Sequence, residues 1–132
     1  MNYIIDTHVL IWFLEGSAQL SDTAKAALMN PRSKLILPAI VLAEAAWIVR
    51  KAKTNIPSVT SLLSSVKRDH RMQVFPLDQT VVEKTIDLNA IAEMHDRQIV
   101  ATALVIQSQG EEVALLTCDR NITDSNLVSI IW

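Results

Sequence analysis

The chain has 132 residues, of which 50% are hydrophobic, and a formal net charge of −2; this length and hydropathy predict one folded domain over residues 1–132 and exclude a disordered chain. No apolar run reaches the roughly 18 residues that cross a bilayer, no basic segment precedes the first apolar run, and the single cysteine permits no internal disulfide, so we expect a cytoplasmic protein without a membrane span. Because 14 acidic residues outnumber 12 basic ones, we do not expect a long, sequence-independent clamp on a nucleic-acid backbone, although a short local contact is compatible with this charge.

Short apolar runs and segments of helical periodicity alternate along the whole chain. In the first half they predict, in chain order, a strand over residues 2–6, a helix over 8–15, a helix from 21 to about 30, a strand over 34–37 and a helix over 39–52. In the second half they predict a helix over 58–70, a strand over 72–75, a helix from 79 to about 93, a helix over 96–110, and strands over 113–117 and 127–131.

This alternation determines the predicted fold class. A strand such as 2–6, apolar on both faces, is typical of a parallel sheet covered by helices. Strands that alternate with helices over the full length predict a three-layer α/β/α fold around a central, mainly parallel five-stranded sheet. In such a sheet, ligands bind beyond the carboxyl ends of the strands, near the point where the strand order reverses.

Four acidic residues fall where this edge of the sheet is expected. Asp6 and Asp119 directly follow predicted strands, and Asp96 begins a long predicted helix. Glu44 lies in the first half of a helix that leaves a strand at the same edge. Each aspartate also has a structural interpretation, because an Asp at such a position commonly caps a helix by accepting a backbone N–H. The spacing by itself leaves both interpretations open.

Glu44 is the least easily explained of the four. It is the only charged residue between Lys34 and Arg50, inside a run too apolar to offer it much water. An unpaired carboxylate in such surroundings costs several kcal/mol or has a raised pKa. It therefore needs a cation, a hydrogen-bond partner or a solvent-filled cleft; the alternative is a side chain that reaches round to solvent or to an arginine.

Carboxylates gathered at one edge predict a divalent cation among them. Without a cation they would repel each other. Oxygen ligands with few histidines or cysteines select Mg²⁺ or Mn²⁺ rather than Zn²⁺. A water bound to such an ion can become the nucleophile for phosphodiester hydrolysis.

Four segments together resemble the PIN-domain nucleases, and most closely the VapC-type toxins of toxin–antitoxin systems. They are Ile5–Trp12, the helix that contains Glu44, Asp96–Leu104 and Leu115–Asp119, and the C-terminal residues 122–132 also fit the family's last turn and edge strand. The resemblance covers essentially the whole chain. Four motifs in order, with fitting separations, make a far more specific match than any one alone.

This resemblance implies a compact α/β sandwich and a Mg²⁺- or Mn²⁺-dependent endoribonuclease, usually a homodimer, that acts on RNA and is inhibited by a cognate antitoxin protein. By the family's pattern, Asp6, Asp96 and Asp119 would be ligands of the metal or of its waters. Glu44 would orient or deprotonate the attacking water. Thr7 and Thr117 match hydroxyl positions near the metal, although a threonine at a strand end is commonly a structural hydrogen-bonding residue.

The chain departs from the family's pattern in two respects. Cys118 stands where many relatives carry a basic residue, and we expect it to be a small buried thiol. The chain is also acidic overall, and its basic residues form two clusters that could flank the cleft and hold phosphates or could be solvated helix ends. The clusters are Arg50, Lys51 and Lys53, and Lys67, Arg68 and Arg71.

Other functions are compatible with parts of the pattern. A receiver-like, Mg²⁺-binding signalling domain is also a parallel α/β fold, but such domains pair acids after the first strand, where this chain has only Asp6. A catalytically silent, PIN-like protein-binding subunit is a second alternative, against which the presence of all four acids counts. An RNA-processing or DNA-directed nuclease is a third. If the chain is a toxin, we expect its antitoxin to lie in a groove beside Trp12 and Trp47.

Overall fold

The computed structural model describes residues 1–132, and its centre is a sheet of five strands that are parallel at every pairing. The strands are β1 (Asn2–Ile5), β2 (Lys34–Pro38), β3 (Met72–Phe75), β4 (Val113–Leu116) and β5 (Ile130–Ile131). Their order across the sheet is β3-β2-β1-β4-β5. In the register, Tyr3 lies opposite Leu35 of β2 and Ala114 of β4. The predicted five-stranded parallel sheet is thus confirmed.

Seven helices cover the two faces of this sheet and complete the predicted α/β/α layers. They are α1 (Thr7–Glu15), α2 (Asp22–Met29), α3 (Ala39–Arg50), α4 (Val59–Arg68), α5 (Gln79–Thr85), α6 (Met94–Ser108) and α7 (Arg120–Thr123). None of these helices is long and apolar enough to cross a membrane.

The central strands are apolar without alternation because helices exclude water from both of their faces. Ile4 and Ile5 of β1 and Leu115 and Leu116 of β4 are all 0% exposed. Burying one such side chain contributes about 1.5–3 kcal/mol relative to leaving it in water. The same burial explains why these strands read as continuous apolar runs in the sequence.

The helix predicted from residue 79 to about 93 is shorter than expected. Helix α5 ends at Thr85, and residues 86–93 form turns. The apolar spacing that suggested one long helix does not lie on one buried face, because Val82 is 47% exposed and Ile86 is 65% exposed. Arg97 holds these turns: its Nε donates to the Ile91 carbonyl at 2.6 Å, and its guanidinium also donates to the Thr85 carbonyl at 3.5 Å.

Two further boundaries differ from the prediction. Helix α6 begins at Met94 rather than at Asp96, which lies in its first turn. The C-terminal strand is only Ile130–Ile131, and the short helix α7 that precedes it was not predicted as a helix. Helices α6 and α7 each begin at a side-chain cap, Glu93 and Asp119, that periodicity does not reveal.

The strand order creates one reversal point. After β1 the chain adds β2 and β3 on one side, and it later returns to add β4 and β5 on the other. The carboxyl ends of β1 and β4 are therefore adjacent, with connections leaving in opposite directions. This is where parallel α/β sheets open a crevice for ligands, and Asp6 and Thr117 are the first residues beyond these two strand ends.

Candidate active site

Asp6 is both a helix cap and a member of the acidic cluster. Its Oδ1 accepts the backbone N–H of Val9 at 2.9 Å and so caps α1, while its Oδ2 accepts the hydroxyl of Thr117. Asp6 is buried, with only 6% of its surface exposed. Burial raises the pKa of Asp6, while the two hydrogen bonds act in the opposite direction by stabilising the charged form.

Thr117 connects the ends of the two central strands. It is 0% exposed, follows β4, donates its hydroxyl to Asp6 and accepts the backbone N–H of Asp119 at 3.0 Å. Asp119 in turn accepts the N–H of Asn121 at 2.9 Å and caps α7. One buried hydroxyl therefore fixes Asp6 and Asp119, which lie more than a hundred residues apart in the chain.

Glu44 has the hydrogen-bond partner that its apolar surroundings require. It lies on α3, and its Oε1 accepts the hydroxyl of Thr7 at 3.1 Å. Its Oε2 lies 3.9 Å from Nδ1 of His95, and its side chain is 31% exposed. The predicted partner and solvent-filled cleft are both present, and the alternative partner, an arginine, is not.

Asp96 is positioned by an acid that sequence reasoning missed. Glu93 is the N-cap of α6, and its Oε2 accepts the backbone N–H of Asp96 at 2.9 Å. Its Oε1 lies 3.0 Å from Nδ1 of His95. The signal was present in the sequence, because an acid three residues before a first-turn aspartate has the spacing of a capping residue.

The four predicted acids surround a single cavity of about 250 Å³ at the reversal point. Its lining consists of Asp6, Thr7, His8, Glu44, Glu93, Asp96, Ile99, Asp119 and Asn121. Thr117 lies beneath this cavity and reaches it only through the hydrogen bonds of Asp6 and Asp119. No lysine or arginine lines the cavity, and His8 is the only basic side chain at its wall.

The carboxylates around the cavity change the pKa of Asp96 more than that of any other acid in it. Burial and then the neighbouring carboxylates of Asp119, Glu93, Glu44 and Asp6 raise the pKa of Asp96 from 3.8 to about 6. The carboxylates therefore act on one another electrostatically, as expected for like charges that face one cavity. A group with so perturbed a pKa in a cleft is a candidate functional residue.

The donor atoms of this cavity fit Mg²⁺ or Mn²⁺ in kind. They are carboxylate oxygens without a cysteine, and a divalent cation would neutralise the charge that raises the pKa of Asp96. As the side chains stand, no three His, Cys, Asp or Glu residues are close enough together to hold an ion directly. Mg²⁺ keeps several waters among its ligands, so carboxylates can also bind it through water.

We expect the metal-free protein to lose stability as the pH rises through the titration of Asp96. Below about pH 4 this carboxyl is protonated in both the folded and the unfolded chain and contributes nothing. Between about pH 4 and 6 the unfolded chain releases the proton first, because its pKa is the lower one, so the free energy of unfolding falls. Above about pH 6 the loss is complete.

Urea denaturation in a chelating buffer at several pH values measures this effect. The Asp96→Asn variant should match the wild type near pH 4 and exceed it at pH 7.5 by about 1–2 kcal/mol, after allowance for the screening of a partly exposed group. A difference in urea midpoint between the two proteins that stays the same from pH 4 to pH 7.5 would contradict the assigned titration of Asp96.

The two basic clusters lie in different places, and one of them is remote from the cavity. Arg71 directly precedes β3, at the amino end of the sheet, whereas the acids lie beyond the carboxyl ends. Its guanidinium donates to the carbonyls of Leu28 at 2.5 Å and Asn30 at 2.9 Å, and to the Asp69 carboxylate at 2.8 Å. The interpretation that Lys67, Arg68 and Arg71 flank the cleft is therefore wrong, and the role of Arg71 is structural.

Replacing Arg71 by alanine should destabilise the protein, because its guanidinium holds two backbone carbonyls and a carboxylate. The change leaves carbonyls and a carboxylate without their charged donor, which costs about 2 kcal/mol. Thermal denaturation measures the loss. Lys67→Ala, at an exposed position on α4 nearby, should stay within about 0.5 kcal/mol of the wild type; equal effects of the two changes would contradict the assigned role of Arg71.

Cys118 and two tryptophans, Trp12 and Trp47, lie outside the lining of the acidic cavity. Cys118 is exposed, so the expectation of a buried thiol is wrong. Trp12 is half-buried, with its ring centroid 5.7 Å from His8 and 6.0 Å from Trp132. Trp47 is 57% exposed on α3, and the Lys51 ammonium lies 4.6 Å from its ring centroid.

Comparison with known proteins gives a consistent result at the level of family and fold. The model of the PIN domain family matches residues 3–125. The structure is similar to a chain of VapBC2 from Rickettsia felis, a complex solved with a DNA fragment from its own promoter. The TM-score is 0.71 at 16% sequence identity, and the match covers 98% of this chain and 97% of that chain.

It is also similar to a chain of FitAcB from Neisseria gonorrhoeae (TM-score 0.70, 18% identity, 97% and 95% covered) and to one of VapBC-1 from nontypeable Haemophilus influenzae (TM-score 0.64, 13% identity, 98% and 96% covered). No curated protein matches the sequence significantly. At these identities the structural similarities concern the fold alone.

Proposed function

Because the chain belongs to the PIN domain family, whose members are generally nucleases, we propose that it is a Mg²⁺- or Mn²⁺-dependent endoribonuclease. The observation that supports this proposal most directly is the convergence of four acids on one cavity. Asp6, Glu44, Asp96 and Asp119 come from four separate parts of the chain and face the same 250 Å³ space. Stability alone would not favour this arrangement, since like charges in one cavity repel each other.

In the proposed mechanism, Asp6, Asp96 and Asp119 would hold the cation, in part through its waters, because the three carboxylates do not stand close enough together to bind it directly. When bound, a divalent cation supplies a water of lowered pKa for attack on the phosphodiester and neutralises charge that develops on phosphate. The chain's own contribution is to keep these carboxylates in place. The N–H of Val9 and the hydroxyl of Thr117 fix both oxygens of Asp6.

Glu44 is the proposed acceptor of the proton from the attacking water. Its Oε1 is occupied by the hydroxyl of Thr7 at 3.1 Å, which leaves Oε2 toward the cavity and His95. A carboxylate with one oxygen fixed and the other free can orient a water and take its proton. Thr7 thus acts as a positioning residue for Glu44, and Thr117 as one for Asp6 and Asp119.

Cleavage of a structured RNA pool by the purified chain tests the proposal. Cutting should require Mg²⁺ or Mn²⁺, stop with a chelator and stop in the Asp96→Asn variant purified in the same way. Equal cutting by the two proteins would identify a contaminant or a wrong site. Absence of metal-dependent cutting by the wild type, on RNA pools from the source cell, would refute the assigned activity.

We further propose that the chain is the toxin of a toxin–antitoxin module. The similarity to chains of VapBC2, FitAcB and VapBC-1 supports this role. An apolar hollow of about 310 Å³ beside the acids, lined by Ile40, Ala43 and Trp47, offers a docking site for an antitoxin segment. A small protein encoded beside this chain should inhibit cleavage, and it should do so less well against Trp47→Ala.

A homodimer is the proposed assembly. Several large apolar side chains near the α5–α6 connection are exposed to solvent, namely Val82 at 47%, Ile86 at 65% and Met94 at 65%. Exposed apolar groups clustered in one region are typical of a protein interface. Sedimentation equilibrium should give twice the mass of the chain, and Ile86→Glu should reduce it to that of a monomer.

A further inference from the structure

A second hollow lies along α1, and the proposed function does not account for it. It encloses about 730 Å³, a size typical of ligand sites. His8 lines both this hollow and the acidic cavity, so the two lie on either side of one side chain. A chain molecule that extends from the acids past His8 would enter this space, which we call the α1 groove.

The α1 groove combines an exposed ring with a single ammonium group. His8 is exposed, and its ring is backed by Trp12, which is backed in turn by Trp132, at centroid distances of 5.7 Å and 6.0 Å. Lys53, also exposed, lines the same groove. Aromatic rings that stack on bases, next to cations that contact phosphates, are the elements of single-strand recognition.

The wall that carries Lys53 is fixed rather than loose. The backbone N–H of Asn55 donates to Oε2 of Glu15 at 2.7 Å, which ties the segment after α3 to the end of α1. Glu15 is the one carboxylate that lines the groove, and its Oε2 is the atom that accepts this hydrogen bond. Lys53 is the only lysine or arginine that lines the groove, and it is exposed to solvent.

From this juxtaposition we propose that the α1 groove binds the nucleotide adjacent to the scissile phosphate of a single-stranded RNA, with its base on the His8 ring and its phosphate on Lys53. The inference rests on the proposed function, since it concerns the substrate of the same site. RNA fits this groove better than a peptide does, because the lining is mainly polar and combines aromatic rings with a cation. The apolar hollow at Trp47 is the better peptide site.

Binding of a fluorescein-labelled, mixed-sequence RNA decamer tests the inference separately from cleavage. Measured by anisotropy with Mg²⁺ in an Asp96→Asn background, which prevents cutting, the affinity should fall about 5-fold or more with His8→Ala and recover with His8→Phe, because stacking needs a ring and not a charge. Lys53→Ala should weaken binding and lower the slope of log Kd against log salt by about 0.7, the loss of one phosphate contact.

Lys67→Ala is the matched control, since it removes the same charge at an exposed position near the amino end of the sheet. It should leave both the affinity and the salt slope unchanged. If the wild type cuts RNA but the His8 and Lys53 variants bind and cut as it does, the groove inference is overturned while the proposed function stands.

Two further outcomes separate the two hypotheses. RNA binding that depends on His8 and Lys53 in a protein that cuts no RNA would support the groove and refute the nuclease. If instead these changes weaken binding of a co-expressed partner protein and leave RNA binding unchanged, the groove is a protein site and the inference fails.

Discussion

Replacing Asp96 by asparagine is expected to reduce RNA cleavage at least about 10³-fold while the metal-free protein becomes more stable at pH 7.5. Activity falls because the variant loses a charged ligand of the proposed cation, and with it the water of lowered pKa that attacks the phosphodiester. Stability rises because the change removes a carboxylate whose pKa is raised to about 6 by burial and by its acidic neighbours. The two effects have opposite signs.

This opposition makes the result easy to interpret, since a variant that merely misfolds loses both properties. Initial rates on a labelled RNA and urea denaturation of the same preparations give the two quantities. Asp22→Asn is the matched control, because Asp22 also lies in the first turn of a helix but is exposed on α2. It should change neither quantity appreciably. A variant at Asp96 that keeps more than a tenth of the wild-type rate would refute the ligand role.

Replacing Thr117 by valine is expected to lower kcat/KM by about 10- to 100-fold, the usual cost of removing a residue that orients metal ligands. The side chain keeps its shape and loses the hydroxyl that donates to Asp6 and accepts the N–H of Asp119. Both carboxylates then lose a fixed position, and the partly buried N–H of Asp119 loses its acceptor. The free energy of unfolding should fall by about 1–3 kcal/mol.

Thr117→Ser separates the hydroxyl from the methyl group, and it should retain most of the activity. Thr102 offers a second control, because it is equally buried on α6 but its hydroxyl donates to the Gln98 carbonyl within its own helix. Thr102→Val should affect stability and leave the cleavage rate of the folded protein unchanged. Loss of activity in the serine variant as large as in the valine variant would show that the hydroxyl is not the active feature.

The acidic cavity illustrates how function and stability oppose each other in this molecule. Asp6 and Asp96 both have raised pKa values, chiefly through burial, and the fold holds them in place with donors such as the N–H of Val9 and the hydroxyl of Thr117. A cation that binds only the folded state would offset the repulsion through mass action. We therefore expect Mg²⁺ to raise the unfolding temperature of the wild type.

The sequence by itself determined the class of fold and the edge of the sheet at which the acids lie. Strands that are buried on both faces must be apolar throughout, so β1 and β4 were visible as continuous runs. Asp6 follows β1 directly, Asp119 lies three residues after the end of β4, and parallel strands place their carboxyl ends on one side. These properties depend on near neighbours in the chain, which is why they could be predicted from the sequence.

Only the tertiary structure decided which side chains meet. The hydroxyl of Thr117 that fixes Asp6 and the carbonyls that engage Arg71 are contacts set by strand order and helix packing. Periodicity indicates which face of a helix or strand is buried, but it does not indicate which side chains of other elements contact that face. For the same reason the sequence left open whether Lys67, Arg68 and Arg71 flanked the acids, while the sheet places them at its opposite edge.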